Sequence, residues 1–317
     1  MVKYNAVIVG CGQIAGGYDE KKKDNGTYTH AGAYKKNDVK IIAVAEVNKQ
    51  RVNEFSNFWK VPNVYSDYKE MLKNEKADIV SICLPDNFHE EAVLFAARNS
   101  PAKIIFCEKP LSTNSRSAKL MLKVCKKAGK FLIVNNQRRW EPFHEKARKM
   151  IEEGKIGNIQ GITGYYVKGL LHIGSTMINT VRFLAGDPKK SYMNGKDIVL
   201  EYSSGFKAFI MTADKNGYGH SAFDLDIMGD KGRIRFSENS NILEIFVSED
   251  YKKYPGMGFK MLYLKERKET HMGSAIENGI KEMIEILAGK KSSSFNAAEE
   301  AIKDLEIIEE ITSRGGK

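Results

Sequence analysis

The sequence has no apolar run near the ~20 residues that a membrane span requires, so no spanning helix is expected. The apolar stretch 6–9 is too short for a signal peptide and runs into a glycine-rich turn. The four cysteines, Cys11, Cys83, Cys107 and Cys125, form no CxxC pair and no disulfide-framework pattern. That excludes a small stapled secreted fold and makes a reducing, cytoplasmic setting the expectation. No cluster of His, Cys, Asp and Glu has zinc spacing, so no metal is expected. Arginine is scarce at 11 residues against 39 lysines, and the longest basic run is Lys21-Lys22-Lys23. Scattered lysines and the lack of any helix-turn-helix, zinc-finger or RNA-recognition pattern argue against nucleic acid as a partner. Internal repeats and low-complexity tracts are also missing.

What is present is ordinary globular material. The chain has 317 residues, 42% hydrophobic and 28% charged, enough for two domains. A net charge of +10 would draw anionic ligands such as nucleotides and sugar phosphates. Apolar, β-prone stretches at 3–9, 39–45, 77–83, 102–107 and 131–134 alternate with amphipathic stretches such as 48–59, 88–98 and 114–128. This alternation predicts βαβ units and a parallel sheet. The pattern changes near Asn135. Helices are expected at 141–153 and 173–184 and a strand at 159–167. Strand-like segments follow at 197–202, 206–213, 222–228, 233–236 and 242–247, with turns but no helices between them. Two helices close the chain at 272–288 and 297–312. The expected class is α/β: a doubly wound parallel domain over 1–135, then an α+β domain over 136–317 with a large, open, mostly antiparallel sheet.

The first strand runs into Gly10-Cys11-Gly12-Gln13-Ile14-Ala15-Gly16. A strand, a glycine turn and a helix start make a dinucleotide-binding reading specific, where glycines alone would not. Gly10 would permit the turn, Gly12 would let the backbone approach a pyrophosphate, and Gln13 and Ile14 would open the helix whose amides face it. Glu46, at the end of the second strand, would accept from ribose hydroxyls and repel a 2′-phosphate, favouring NAD over NADP. It lies 30 residues beyond Gly16, and an extra polar loop over about 18–28 accounts for the excess. Arg51 reads as a residue of a helix surface rather than a phosphate clamp.

Two further motifs lie at the ends of predicted parallel strands, Leu84-Pro85-Asp86-Asn87-Phe88-His89 and Phe106-Cys107-Glu108-Lys109-Pro110-Leu111-Ser112. With the glycine turn, the Glu-Lys-Pro sequence resembles the Gfo/Idh/MocA family of nicotinamide-dependent oxidoreductases. Arg138-Arg139-Trp140, Gly154-Lys155-Ile156-Gly157 and the closing helix resemble it too. The resemblance implies a Rossmann domain followed by an open-sheet domain that often mediates dimers or tetramers. It also implies Lys109 near nicotinamide and the substrate oxygen, with Pro85, Asn87, His89 and Glu108 lining the cofactor cleft. His30 reads as a helix-start residue that could also face that cleft.

The chain departs from the family at a helix start. Many members carry Asp, then His four residues on, then Asp three further; here His172, Thr176 and Asn179 take those places. A Thr hydroxyl cannot take up a proton near neutral pH, which leaves three readings: proton transfer by Lys109 or His172, a contribution from Tyr165 or Tyr166, or a weak or inactive relative. Arg138, Tyr166, Thr176, Asn179 and His220 are the expected substrate contacts; Arg139 is the alternative to Arg138. His144 and His271 read as helix-surface residues. The function implied is NAD-dependent hydride transfer to or from a sugar, polyol or nucleotide sugar. Alternatives are an NAD-retaining lyase or glycosidase and a non-catalytic nucleotide-binding regulator on the same fold.

Overall fold

A computed structural model describes residues 4–212, 221–269 and 272–314. The chain divides into two compact units, Met1–Glu141 with Met272–Leu305, and Pro142–His271 with Glu306–Lys317.

The first unit begins β1 (Asn5–Val9), α1 (Tyr18–Lys21), α2 (His30–Lys36), β2 (Lys40–Ala45), α3 (Lys49–Trp59), β3 (Asn63–Tyr65) and α4 (Tyr68–Asn74). It continues through β4 (Ile79–Ile82), α5 (His89–Asn99), β5 (Ile104–Cys107), α6 (Ser115–Lys127) and β6 (Phe131–Val134). The six strands are parallel in the order β3-β2-β1-β4-β5-β6. That is the doubly wound order, with its switch point between β1 and β4. Val7, Ile8, Ile79, Val80, Ile104 and Ile105 are all buried. Near-continuous apolar runs of this kind suit strands covered on both faces. Side-chain oxygens start the helices: Asn48 accepts from the Arg51 amide, Asn114 from Ser117 and Thr29 from Gly32.

The helix predicted after the glycine turn is broken. A π-type turn over Gln13–Gly17 leads into one helical turn, α1, and helix resumes only at α2. Asp19 pins the intervening loop. Its carboxylate accepts from the amides of Tyr28 (3.0 Å) and Thr29 (3.1 Å) and from the Thr29 hydroxyl (2.6 Å).

The second unit holds α7 (Pro142–Glu152), β7 (Ile159–Tyr166), α8 (Ser175–Ala185), β8 (Lys190–Asn194), β9 (Asp197–Glu201) and β10 (Lys207–Thr212). After these come β11 (Phe223–Gly229), β12 (Gly232–Ser237), β13 (Ile242–Asp250) and β14 (Lys260–Glu269). The sheet runs β14-β13-β12-β11-β7-β10-β9-β8 and is antiparallel except where β10 lies parallel to β7. Strand alternation sorts β7: Ile162 and Tyr166 enter the core, while Thr163 and Tyr165 face out. Met177 and Val181 of α8 are buried in the same core cluster as Ile162, Ile210 and Leu225.

Not all of the chain beyond residue 136 belongs with the second sheet. Segment 272–305 returns to the first unit. On α9 (Ala275–Leu287), Ile276, Ile280, Met283 and Ile286 fall on one helical face and join the first core, packed with Trp140 and Phe106. The last helix, α10 (Ala298–Arg314), belongs to the first unit up to Leu305 and to the second from Glu306. The strands β3, β8 and β14 were not expected. They are short or strongly polar edge segments with little apolar alternation.

Candidate active site

The loops after β1, β4 and β5 leave from the carboxyl ends of neighbouring strands, where open parallel sheets bind ligands. Gly10 has φ +92, and a Cβ there would lie 2.8 Å from the Cys83 carbonyl oxygen. Its amide donates to Ala45 (2.8 Å), which locks the turn to β2. Gly16 serves helix packing, since a Cβ would meet the Trp59 and Phe55 rings at about 2.5 Å. Gly12 differs from both. Its φ is −68, which any residue adopts, and a Cβ there would meet nothing within 4 Å. The chain itself does not need glycine at this exposed position, whereas a pyrophosphate approaching the backbone does. The donor set therefore fits a dinucleotide. Gln13 is exposed beside Gly12 and Ile14 is half-buried.

Glu46 is half-buried at the end of β2. Its Oε2 accepts from the Cys11 amide (3.0 Å) and its Oε1 from the Asn48 amide (3.0 Å). Arg51 is more than a surface residue of α3. Its Nε donates to the Cys11 carbonyl (2.6 Å), and its two terminal nitrogens donate to the two Glu20 oxygens (2.8 Å each). The sequence reading missed Glu20 because nothing in a polar loop marks which acid will turn inward.

After β4, Pro85 and Asn87 are exposed. His89 is buried, and both ring nitrogens face main-chain carbonyls, Pro110 from Nδ1 (3.0 Å) and Leu84 from Nε2 (2.8 Å). The ring therefore ties the loop after β4 to the loop after β5, with no nitrogen left for a ligand. Glu108 also turns inward. Its Oε1 accepts from Asn135 Nδ2 (2.6 Å) and meets His30 Nε2 (2.8 Å). His30 Nδ1 meets Ser81 Oγ (2.9 Å), which in turn meets Tyr34 OH (2.6 Å). His30, expected at a helix start or facing the cleft, is fully buried. Burial raises the Glu108 carboxyl, but the bonds from His30 and Asn135 outweigh it and hold the group below the usual carboxylate range.

Lys109 follows directly and is half-buried. Burial pulls its ammonium down, Glu108 partly restores it and Arg138 lowers it further. Arg138 is also lowered by burial, to about 10, against the pull of Glu141. Lys109 is thus a partly desolvated cation that feels the Arg138 charge. Arg139 is structural, donating to Phe295 O (3.2 Å) and Glu300 (3.1 Å). Next to Glu108, Asn135 Oδ1 and Asn136 Nδ2 are buried without a hydrogen-bond partner. They supply an unused acceptor and an unused donor at the end of β6.

In the second unit, His172 is exposed on the turn Gly169–Gly174, which is entered through two left-handed residues, Lys168 and Gly169. Its carbonyl accepts from the Ser175 and Thr176 hydroxyls (3.0 and 3.1 Å). Thr176 and Asn179 are almost fully buried on α8. Tyr166 is a core residue under Gly174 and does not present its ring to a ligand, whereas Tyr165 faces solvent on the opposite side of β7. His144, expected on a helix surface, is fully buried and stacks on Phe236 at 4.2 Å. His220 and His271 lie outside the described residues.

Residues 4–136 match the family model described as "Oxidoreductase family, NAD-binding Rossmann fold" (GFO_IDH_MocA). The chain is 25% identical over 244 residues to myo-inositol 2-dehydrogenase of Thermotoga maritima, a match covering 67% of this chain and 72% of that protein. A levoglucosan dehydrogenase structure with NADH and levoglucosan shares the fold at TM-score 0.81 and 17% identity, covering 99% of this chain and 97% of the other. The Bordetella pertussis WlbA dehydrogenase, solved with NADH and UDP-GlcNAcA, does so at TM-score 0.74 and 17% identity, over 99% and 97%.

Proposed function

We propose that this chain, whose residues 4–136 match the Gfo/Idh/MocA oxidoreductase family model, is an NAD-dependent dehydrogenase acting on a CH–OH group of a sugar, polyol or nucleotide sugar. The observation that carries the reading is Gly12, an exposed glycine that only an approaching ligand requires, at the switch point of a doubly wound sheet. Inositol, levoglucosan and a UDP-sugar are the ligands or substrates named for the similar proteins, and all offer ring hydroxyls.

Bound nicotinamide supplies the hydride acceptor or donor. The chain supplies position and charge. Lys109 hydrogen-bonds the reacting oxygen, and its lowered proton affinity lets the amine accept the hydroxyl proton as the carbonyl forms, or return it in the reverse direction. Arg138 adds positive charge beside it and favours a substrate carrying a carboxylate or phosphate. His172 is the second candidate for the proton, while Thr176, whose hydroxyl donates to the His172 carbonyl on the preceding turn, does not titrate. The four cysteines are free and buried, which supports a cytoplasmic enzyme. No helix among the described residues is long and apolar enough to cross a membrane. The outward face of the second sheet, with Tyr165, Phe209 and Met228 exposed, supports a homodimer or homotetramer, which sedimentation would test.

The test is a titration with NADH and NADPH followed by nicotinamide fluorescence, then turnover on a panel of cyclitols, sugars and UDP-sugars. NADH binding with turnover on a panel member supports the reading. No binding of either cofactor, in protein freed of bound nucleotide, rejects it.

A further inference from the structure

Arg51 and Glu46 hold opposite ends of one residue. Glu46 takes the Cys11 amide and Arg51 takes the Cys11 carbonyl. The guanidinium therefore sits beside the carboxylate that the dinucleotide reading gives to the adenosine ribose. A planar guanidinium at this place is well made for a 2′-phosphate, which it can grip with two parallel bonds. Here both terminal nitrogens are spent on another carboxylate, Glu20, at 2.8 Å each. Trp59 Nε1 also donates to Glu20 Oε1 at 3.1 Å. Glu54 adds a third carboxylate at 3.8 Å from the guanidinium. One cation thus meets Glu20 and Glu54, with Glu46 bound to the same Cys11, so carboxylates outnumber it here.

We propose that Glu20 makes the site selective for a dinucleotide with a free 2′-hydroxyl, by occupying the one arginine that would otherwise receive a 2′-phosphate. The proposal rests on the dinucleotide reading of the site. Glu20 belongs to α1, the single helical turn that precedes the loop pinned by Asp19, so the interruption of the first helix delivers the carboxylate to Arg51. Burial raises the Glu20 carboxyl, but the Arg51 and Trp59 bonds outweigh it and keep the group ionised at neutral pH. Glu46 repels a 2′-phosphate on its own; Glu20 removes the counter-charge that could have offset that repulsion.

The measurement is the ratio of NADPH to NADH dissociation constants, by nicotinamide fluorescence at low ionic strength. In a Glu46→Ser background, adding Glu20→Gln should cut the ratio by at least about tenfold, the scale of one gained charge-assisted pair. Adding Arg51→Ala on top should return the ratio to within about threefold of Glu46→Ser alone. The same pair of changes with Glu46 in place repeats the comparison if the serine variant folds poorly, with an expected cut of at least about threefold. Arg51→Gln in the otherwise native protein should leave the ratio within about threefold, because the guanidinium is already occupied. A ratio unmoved by Glu20→Gln, a cut that survives Arg51→Ala, or a rise of about tenfold or more in Arg51→Gln would each overturn the proposal. Loss of NADH binding in the native protein would instead reject the dinucleotide reading, so the two failures are distinguishable.

Discussion

Nε2 of His30 lies 2.8 Å from Oε1 of Glu108, joining the first residue of α2 to the residue before Lys109. The Glu108 carboxylate also accepts from the Lys109 amide at 3.3 Å, so the pair helps fix the backbone that carries Lys109. Both side chains are buried. Removing one partner leaves the other desolvated and short of a bond, which typically costs several kcal/mol. His30→Ala should therefore lose about 3 kcal/mol in urea unfolding. If His30 acts on catalysis through Glu108, His30→Gln should recover part of the stability but lower kcat more than it changes the NADH affinity.

Acid sensitivity follows from the same pair. The folded Glu108 carboxyl titrates below its ordinary value of 4.5. A depressed carboxylate contributes stability above the unfolded value, and that stability is lost as the pH falls through the folded value. Urea midpoints measured from pH 7 downward should drop for the native protein below about pH 4.5, and more shallowly for Glu108→Gln. Equal slopes for the two proteins would show that other groups control acid unfolding.

Lys109→Met should lower turnover by at least about 100-fold, the usual scale for losing a positioned acid–base group. NADH binding should survive, because the residues proposed for the pyrophosphate and ribose, Gly12 and Glu46, lie on other loops. The pH dependence has a definite sign. Oxidation needs the neutral amine, so the rate rises with pH through a limb placed below the ordinary lysine value of 10.5. His172→Ala tests the competing assignment. If it removes that limb and Lys109→Met does not, His172 carries the proton.

The parallel sheet and the glycine turn were legible in the sequence because each rests on a local signal, an apolar run or a backbone position. The partners of the site were not. Ser81, His30 and Glu108 come from β4, α2 and the end of β5, and only the tertiary fold brings them together. Burial misled in both directions. His89 and Tyr166 look like ligand contacts from their motifs, yet one bonds main-chain carbonyls and the other fills a core. His144 looks exposed because its helix is rich in charge, yet it lies on the apolar face against Phe236. The return of α9 to the first core was hidden because an amphipathic helix shows that it has a buried face, not which core it joins.

Gly10 and Gly12, two residues apart, should respond in opposite ways to substitution. Gly10→Ala forces a side chain onto φ +92 and places its Cβ 2.8 Å from the Cys83 carbonyl oxygen. It should cost about 2 kcal/mol or more of stability, from strain and close contact together. Gly12→Val meets open space at an ordinary φ of −68. Its thermal midpoint should stay within about 2 °C of the native protein, while NADH affinity should fall by at least about 100-fold as the side chain fills the pyrophosphate approach. A stable Gly12→Val that still binds NADH tightly would mean that no ligand approaches the backbone there. The glycine on which the functional reading stands would then have lost its explanation.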